Sequence, residues 1–181
     1  MTSSEKVALI TGASSGIGRA LATELKQRGY LVYATARQPA DLLTLTEAGF
    51  QALQLDVNDQ NAIEQVVQSI TTAHNRLDLL INNAGFGTSG RLVNEDRDKI
   101  KDEITLNVVT LTDLTQALLP GMLKRDTGAI VNIASTAAFQ PVPGMAVYAA
   151  TKAFVLSFTS AVWGETKDTG VRVLAVCPGA T

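Results

Sequence analysis

Short apolar runs alternate with amphipathic stretches along the whole chain. VALITG (7–12), LVYATA (31–36), QALQLDV (51–57), LDLLINNAG (77–85), GAIVNIAS (128–135) and VRVLAVCPG (171–179) are largely continuous runs rather than apolar–polar alternations. Runs of that kind predict strands buried on both faces, as in a parallel sheet. Between them, 16–28 sets Ile17, Leu21 and Leu25 on one helical face, with Gly29 as its stop. Residues 41–48 read as a helix closed by Gly49, and Asp59 as the N-cap of a helix running to about His74. Residues 94–124 are mostly helical, in one or two pieces, with Pro120 disturbing the last turns. A final helix spans 147–168.

Strand and helix in alternation give an α/β fold with right-handed crossovers: a doubly wound, Rossmann-like parallel sheet in three layers. The 181 residues suit one domain over 1–181, and no repeat, linker or low-complexity segment interrupts them. The net charge is only −2 with both signs interspersed, which argues against a nucleic-acid partner. The apolar runs are too short to span a bilayer, and MTSSEKVALITG lacks the apolar core of a secretory signal. Cys177 is the single cysteine, so no internal disulfide can form, and a cytoplasmic location is expected. With one histidine, His74, and no cysteine cluster, no metal site is expected; His74 reads as solvated and Cys177 as a small buried hydrophobe. On the last helix Trp163 and Phe158 are compatible with core packing, and the spacing of Phe154, Phe158 and Ala161 fits core packing and a subunit interface equally well.

Candidate chemistry starts at TGASSGIGR (11–19), between the first strand and the first helix. Gly12, Gly16 and Gly18 let backbone approach a pyrophosphate, with Ser14, Ser15 and Ile17 in the same turn and the helix N-terminus offering amide donors. Glycines at a turn also occur as plain turn chemistry, but the strand–turn–helix context favours a dinucleotide. A site for NAD carries an acid at the end of the second strand, about 20 residues past the glycines. Here that strand ends in Thr35, Ala36 and Arg37. A guanidinium would pair with a 2′-phosphate, so NADP(H) is favoured over NAD(H), with a solvated loop charge as the plain alternative for Arg37.

Seven motifs in order then resemble the short-chain dehydrogenase/reductase family. They are TGASSGIG, the Asp56-Val57 pair, NNAG (82–85), Asn107 in LNVV, Ser135 in NIAS, Tyr148-x-x-x-Lys152 and Pro178-Gly179. The resemblance implies that Asp56 hydrogen-bonds the adenine amino group beside Val57, and that Asn83, Ala84 and Gly85 line the adenine-ribose side. It implies a catalytic tetrad of Asn107, Ser135, Tyr148 and Lys152, with Lys152 also holding the nicotinamide ribose. Pro178, Gly179 and Thr181 would flank the nicotinamide. It further implies a homodimer or homotetramer, with the last two long helices at the interface. Family members continue past the Pro-Gly motif into a substrate-binding segment, another helix and a seventh strand, so by this comparison the chain is C-terminally short.

The chemistry implied is interconversion of a carbonyl compound and an alcohol. Tyr148 and Lys152 lie four apart, on one helical face. A nearby ammonium favours phenolate and brings a phenol, ordinarily titrating near ~10, closer to the operating pH. Ser135 would bind the substrate oxygen and Asn107 would place a relay water. Each residue has a structural alternative: a snorkelling Tyr–Lys pair, a strand-end serine, a buried amide. Phe86, Phe139, Val142, Pro143 and Met145 suggest a partly hydrophobic small-molecule substrate. The rival classes are an NADP(H)-binding domain without turnover, and an isomerase, dehydratase or epimerase on the same fold.

Overall fold

A computed structural model describes residues 5–56, 59 and 61–179. In chain order it contains β1 (Lys6–Ile10), α1 (Gly16–Gln27), β2 (Tyr30–Ala36), α2 (Pro39–Glu47), β3 (Gln51–Gln54), α3 (Ala62–His74), β4 (Leu79–Asn82), α4 (Arg97–Ile104), a π-helical turn (Thr105–Thr110), α5 (Leu111–Lys124), β5 (Gly128–Ile133), α6 (Ala146–Thr166) and β6 (Val171–Val176). The strands form one sheet of six in the order β3-β2-β1-β4-β5-β6, every pair parallel. Strand order reverses between β1 and β4, where Ile10 stands beside Ile81. Such a reversal opens a crevice outside the carboxyl ends of the strands.

Successive strand residues feed opposite cores, which is why the runs are continuous. Leu9 and Leu80 join Val66, Ile70, Leu114 and Met122 from α3 and α5 on one face. Their neighbours Ile10 and Ile81 join Ala22 and Leu45 from α1 and α2 on the other. The sheet centre also holds a polar rung. Asn82 and Asn132 are register partners, and Asn82 Nδ2 donates to Asn132 Oδ1 (2.9 Å) and to Thr115 Oγ1 (3.2 Å). Asn132 Nδ2 in turn donates to Thr159 Oγ1 (2.9 Å), tying β4 and β5 to α5 and α6.

Element boundaries differ from the pattern in instructive ways. β1, β4, β5 and β6 stop two to three residues before their apolar runs do, because the ends of those runs form the crevice loops, whereas β2 reaches the end of its own run at Ala36. Asn61, not Asp59, caps α3; Asp59 Oδ1 instead accepts the Asn61 N–H (2.9 Å). The long helical region begins at Arg97, where the Asp96 side chain accepts the N–H groups of Asp98 and Lys99. Pro120 does not break α5. It lies on the exposed face, where the carbonyl it leaves without a partner can meet solvent. The irregularity falls earlier, in the π turn, a form that recurs at functional sites.

Trp163 is 56% exposed, outside the core. The expectation of a solvated His74 is corrected. His74 is half-buried and bonded through Nε2 to the Tyr33 hydroxyl (2.8 Å), because the end of α3 leans on β2. Among the described residues, α6 alone is long and apolar enough, by length and composition, to cross a membrane, with mean hydropathy 1.2. It packs Val155, Thr159 and Val162 inward and carries the buried Lys152, as a sheet-covering helix does. No group of three or more His, Cys, Asp or Glu side chains suited to a metal occurs among the described residues.

Candidate active site

The crevice at the strand ends is a cleft of about 1040 Å³. One end is lined by Ser14, Arg37 and Asp41, the middle by Asn83–Gly85, and the other by Ser135, Tyr148, Lys152 and Asp102.

The first end is built by glycine geometry. Gly12 and Gly16 adopt left-handed backbone (φ 65° and 55°), which turns the chain sharply from β1 into α1. Gly18 has ordinary backbone but no room: a Cβ there would lie 2.3 Å from the Gly12 carbonyl oxygen and 2.4 Å from Asn83 Nδ2. Asn83 closes this turn by donating from Nδ2 to the carbonyls of Thr11 and Gly12 (both 3.0 Å). Thr11, which the sequence did not single out, answers from the other side. Its hydroxyl accepts the N–H groups of Asn83 (3.0 Å) and Ala84 (2.9 Å). Ser15 sits at the α1 N-cap without a side-chain cap bond, leaving backbone amides of the first turn to face the cleft. Arg37 is exposed at the mouth, and its own carbonyl accepts Gln54 Nε2.

The other end is set by α6 and the strand end of β5. Lys152 is 5% exposed and donates from Nζ to the Ile133 carbonyl (2.9 Å). Its Nζ lies 5.7 Å from the centroid of the half-buried Tyr148 ring. Burial pushes the Lys152 ammonium down to about 8, against the opposing charges of Cys177 and Glu103. Ser135 Oγ accepts the Ala137 N–H (3.2 Å), which leaves the hydroxyl proton free to donate toward the cleft. Asn107 is buried below the loop after β4. Its Nδ2 donates to the Phe86 carbonyl (2.8 Å) and Thr151 Oγ1 (3.0 Å), and its Oδ1 accepts the Phe86 N–H (3.2 Å).

Lys152 carries a stability prediction. An unfolded chain keeps this proton to about 10.5, the folded chain only to about 8, so unfolding takes up a proton between those values. Below that window the buried ammonium costs about 3 kcal/mol, part of it offset by its bond to Ile133. Lys152→Met is therefore expected to melt a few degrees above the wild type at neutral pH. The gap should close as pH rises toward the upper value, as scanning calorimetry across that range would read.

Of the residues expected at the site, Gly12, Ser14, Ser15, Ile17, Arg37, Asn83, Ala84, Gly85, Ser135, Tyr148, Lys152, Pro178 and Gly179 line one cleft. Gly16 and Gly18 shape the turn behind it, Asp56 follows the lining residue Leu55, and Asn107 supports the floor. Val57 and Thr181 fall outside the described residues. Of the five apolar residues expected to contact substrate, only Phe86 lines the cleft. Phe139 points outward at 68% exposure, and the 88–102 side contributes Glu95, Lys99 and Asp102 instead. Sequence reasoning also missed Glu103 and Gly87; the spacing of Glu103, four before Asn107, was the available signal.

The glycine turn and the start of α1, which carries no side-chain cap, fit a dinucleotide. Comparison with known proteins agrees. The family model of short chain dehydrogenases matches residues 6–181. The 3-oxoacyl-[acyl-carrier-protein] reductase FabG of Vibrio harveyi is 36% identical, over 96% of this chain and 72% of its own. A short-chain dehydrogenase from Streptomyces avermitilis superposes with a TM-score of 0.92 at 37% identity, covering 99% of this chain and 67% of that one. A short-chain dehydrogenase from Sphingobium yanoikuyae, solved with NADPH, gives 0.88 at 39% identity, covering 97% and 71%. With this fold, this cleft and these relatives, the chain belongs to the short-chain dehydrogenase family of NAD(P)-dependent oxidoreductases.

Proposed function

We propose that this protein is an NADP(H)-dependent oxidoreductase that interconverts a small carbonyl compound and its alcohol, with Tyr148 as general acid and base. One observation carries the reading: Tyr148, Lys152 and Ser135 line the same cleft whose far end holds the glycine turn and Arg37. NADP(H), when bound, supplies or accepts the hydride. The backbone amides at the start of α1, with Gly12, Ser14, Ser15, Gly16, Ile17 and Gly18, hold the pyrophosphate. Arg37 would pair with the 2′-phosphate, Asp56 would border the adenine, Asn83–Gly85 the ribose side, and Pro178 and Gly179 the nicotinamide.

In reduction, Ser135 donates its free hydroxyl proton in a hydrogen bond to the substrate oxygen and fixes its position. Tyr148 hands its phenolic proton to that oxygen as negative charge builds there. Lys152 stabilises the phenolate left behind and donates to the ribose. Asn107 keeps the 85–86 loop in place beside Lys152, so that a water there can return the proton. The NADPH complex of the Sphingobium relative supports the cofactor choice. Exposed Phe154 and Trp163 on α6 support assembly into a homodimer or homotetramer, and a cytoplasmic location suits a reaction drawing on NADP(H).

The test is NADPH consumption against a panel of ketones and aldehydes, with isolation of the alcohol. Consumption coupled to alcohol formation is the expected result; NADPH binding without consumption by any carbonyl compound would overturn the reading. Arg37→Asp adds a specificity check. It should lower kcat/KM for NADPH about ten- to hundredfold, the worth of a charge-assisted pair, and spare or improve NADH.

A further inference from the structure

Four residues before Asn107, α4 buries a carboxylate completely: Glu103 is 0% exposed. Its Oε2 accepts the Thr88 N–H (3.0 Å) and the Thr88 hydroxyl (2.7 Å). Its Oε1 has no hydrogen-bond partner among the described residues. One turn on, Asn107 holds the N–H and carbonyl of Phe86. Two neighbouring positions on one helix face thus hold residues 86 and 88 of the same loop. Gly87, between them, backs onto the Tyr148 ring so closely that a Cβ would lie 2.7 Å from Cδ2.

Hydrogen bonding does not account for the charge on this side chain. Burying a carboxylate costs several kcal/mol after relaxation. A glutamine could accept both Thr88 bonds through its single amide oxygen. What a charge can do, and an amide cannot, is act on another charge. Lys152 Nζ lies against Gly85 of this same loop, beside Asn107 Oδ1. Two titratable groups act on the Lys152 charge, Cys177 from the segment after β6 and Glu103 from α4, and the Tyr148 ring lies beside Nζ on its own helix. Glu103 opposes the burial that drives the ammonium toward neutrality.

We infer that Glu103 is a positioning residue of the reductase site: its two bonds to Thr88 pin the 86–88 loop against the Tyr148 ring, and its negative charge offsets that of the buried Lys152 ammonium. The inference rests on Tyr148 and Lys152 being the acid–base pair. It separates into two parts by substitution. Glu103→Gln keeps the bonds and removes the charge, whereas Thr88→Val keeps the charge and removes the hydroxyl bond.

Two readouts decide it: the pH profile of kcat for ketone reduction, and the titration of Lys152 itself, followed by NMR in lysine-labelled protein and assigned with Lys152→Met. Glu103→Gln is expected to move the alkaline limb and the Lys152 titration to lower pH by about half a unit or more, the effect of one buried charge. Thr88→Val is expected to leave both titrations in place while lowering kcat several-fold, with KM for NADPH little changed. Superposition of the Glu103→Gln titration on the wild type would overturn the inference, as would a Thr88→Val variant that shifts it. If Glu103→Gln does not fold, Thr88→Val still decides, since a retained charge must leave Lys152 titrating where it did. Should the wild type reduce no carbonyl compound, the functional reading fails by itself, and the Lys152 titration still judges Glu103.

Discussion

Tyr148→Phe is expected to lower turnover about a hundred- to ten-thousandfold, the range that loss of a positioned general acid covers. The substitution removes one oxygen and nothing else. The ring carries the packing against Gly87 and stays beside Lys152 Nζ, so both contacts survive. NADPH affinity, read by fluorescence titration, should change little, and thermal stability should stay near that of the wild type. KM for the carbonyl substrate should rise only modestly, because Ser135 still donates to its oxygen. This division between kcat and binding is what an acid acting in the transition state leaves behind. Turnover within a few-fold of the wild type would remove Tyr148 from the mechanism.

Gly18→Ala is expected to destabilise the protein and weaken NADPH binding together. Its Cβ would meet the Gly12 carbonyl and Asn83 Nδ2 at distances no real Cβ occupies. Neither neighbour is free to yield. The Gly12 carbonyl belongs to a left-handed turn that already accepts Asn83, and Asn83 is anchored at its own N–H by Thr11. Relief requires pushing α1 away from β1, which over-packing costs place at about 1–3 kcal/mol. NADPH affinity should fall more than tenfold, because the displaced helix start carries the phosphate-binding amides. Gly16→Ala is the control. Nothing lies within 4 Å of its missing Cβ, so only its left-handed backbone resists, at roughly 1–2 kcal/mol. Calorimetry and NADPH titration on the pair separate lack of space from backbone conformation.

Much of this site was legible because its parts lie at strand ends, where the apolar runs stop. The glycine turn follows β1, Asn83–Gly85 follow β4 and Ser135 follows β5, and a parallel sheet brings all such ends to one edge. Periodicity also gave Tyr148 and Lys152 a shared helix face. It could not foresee Phe139 turning outward, because a short 3₁₀ turn (Thr136–Phe139) sets its direction. Nor could it foresee Trp163 at the surface, since α6 is apolar on more faces than the sheet covers.

The sequence by itself determined the class of fold and the chemical groups available. Burial on both faces is written in continuous apolar runs, and hydride chemistry is implied by a recurring order of motifs. Only the tertiary structure decided which groups act on one another. Thr11 clamping Asn83, Glu103 facing Thr88 and influencing Lys152, and Gly87 yielding space to Tyr148 all join residues far apart in the chain. The physical reason is that hydrogen bonds and charges act over a few ångströms of space, whereas pattern along the chain records only which face each residue turns to the core.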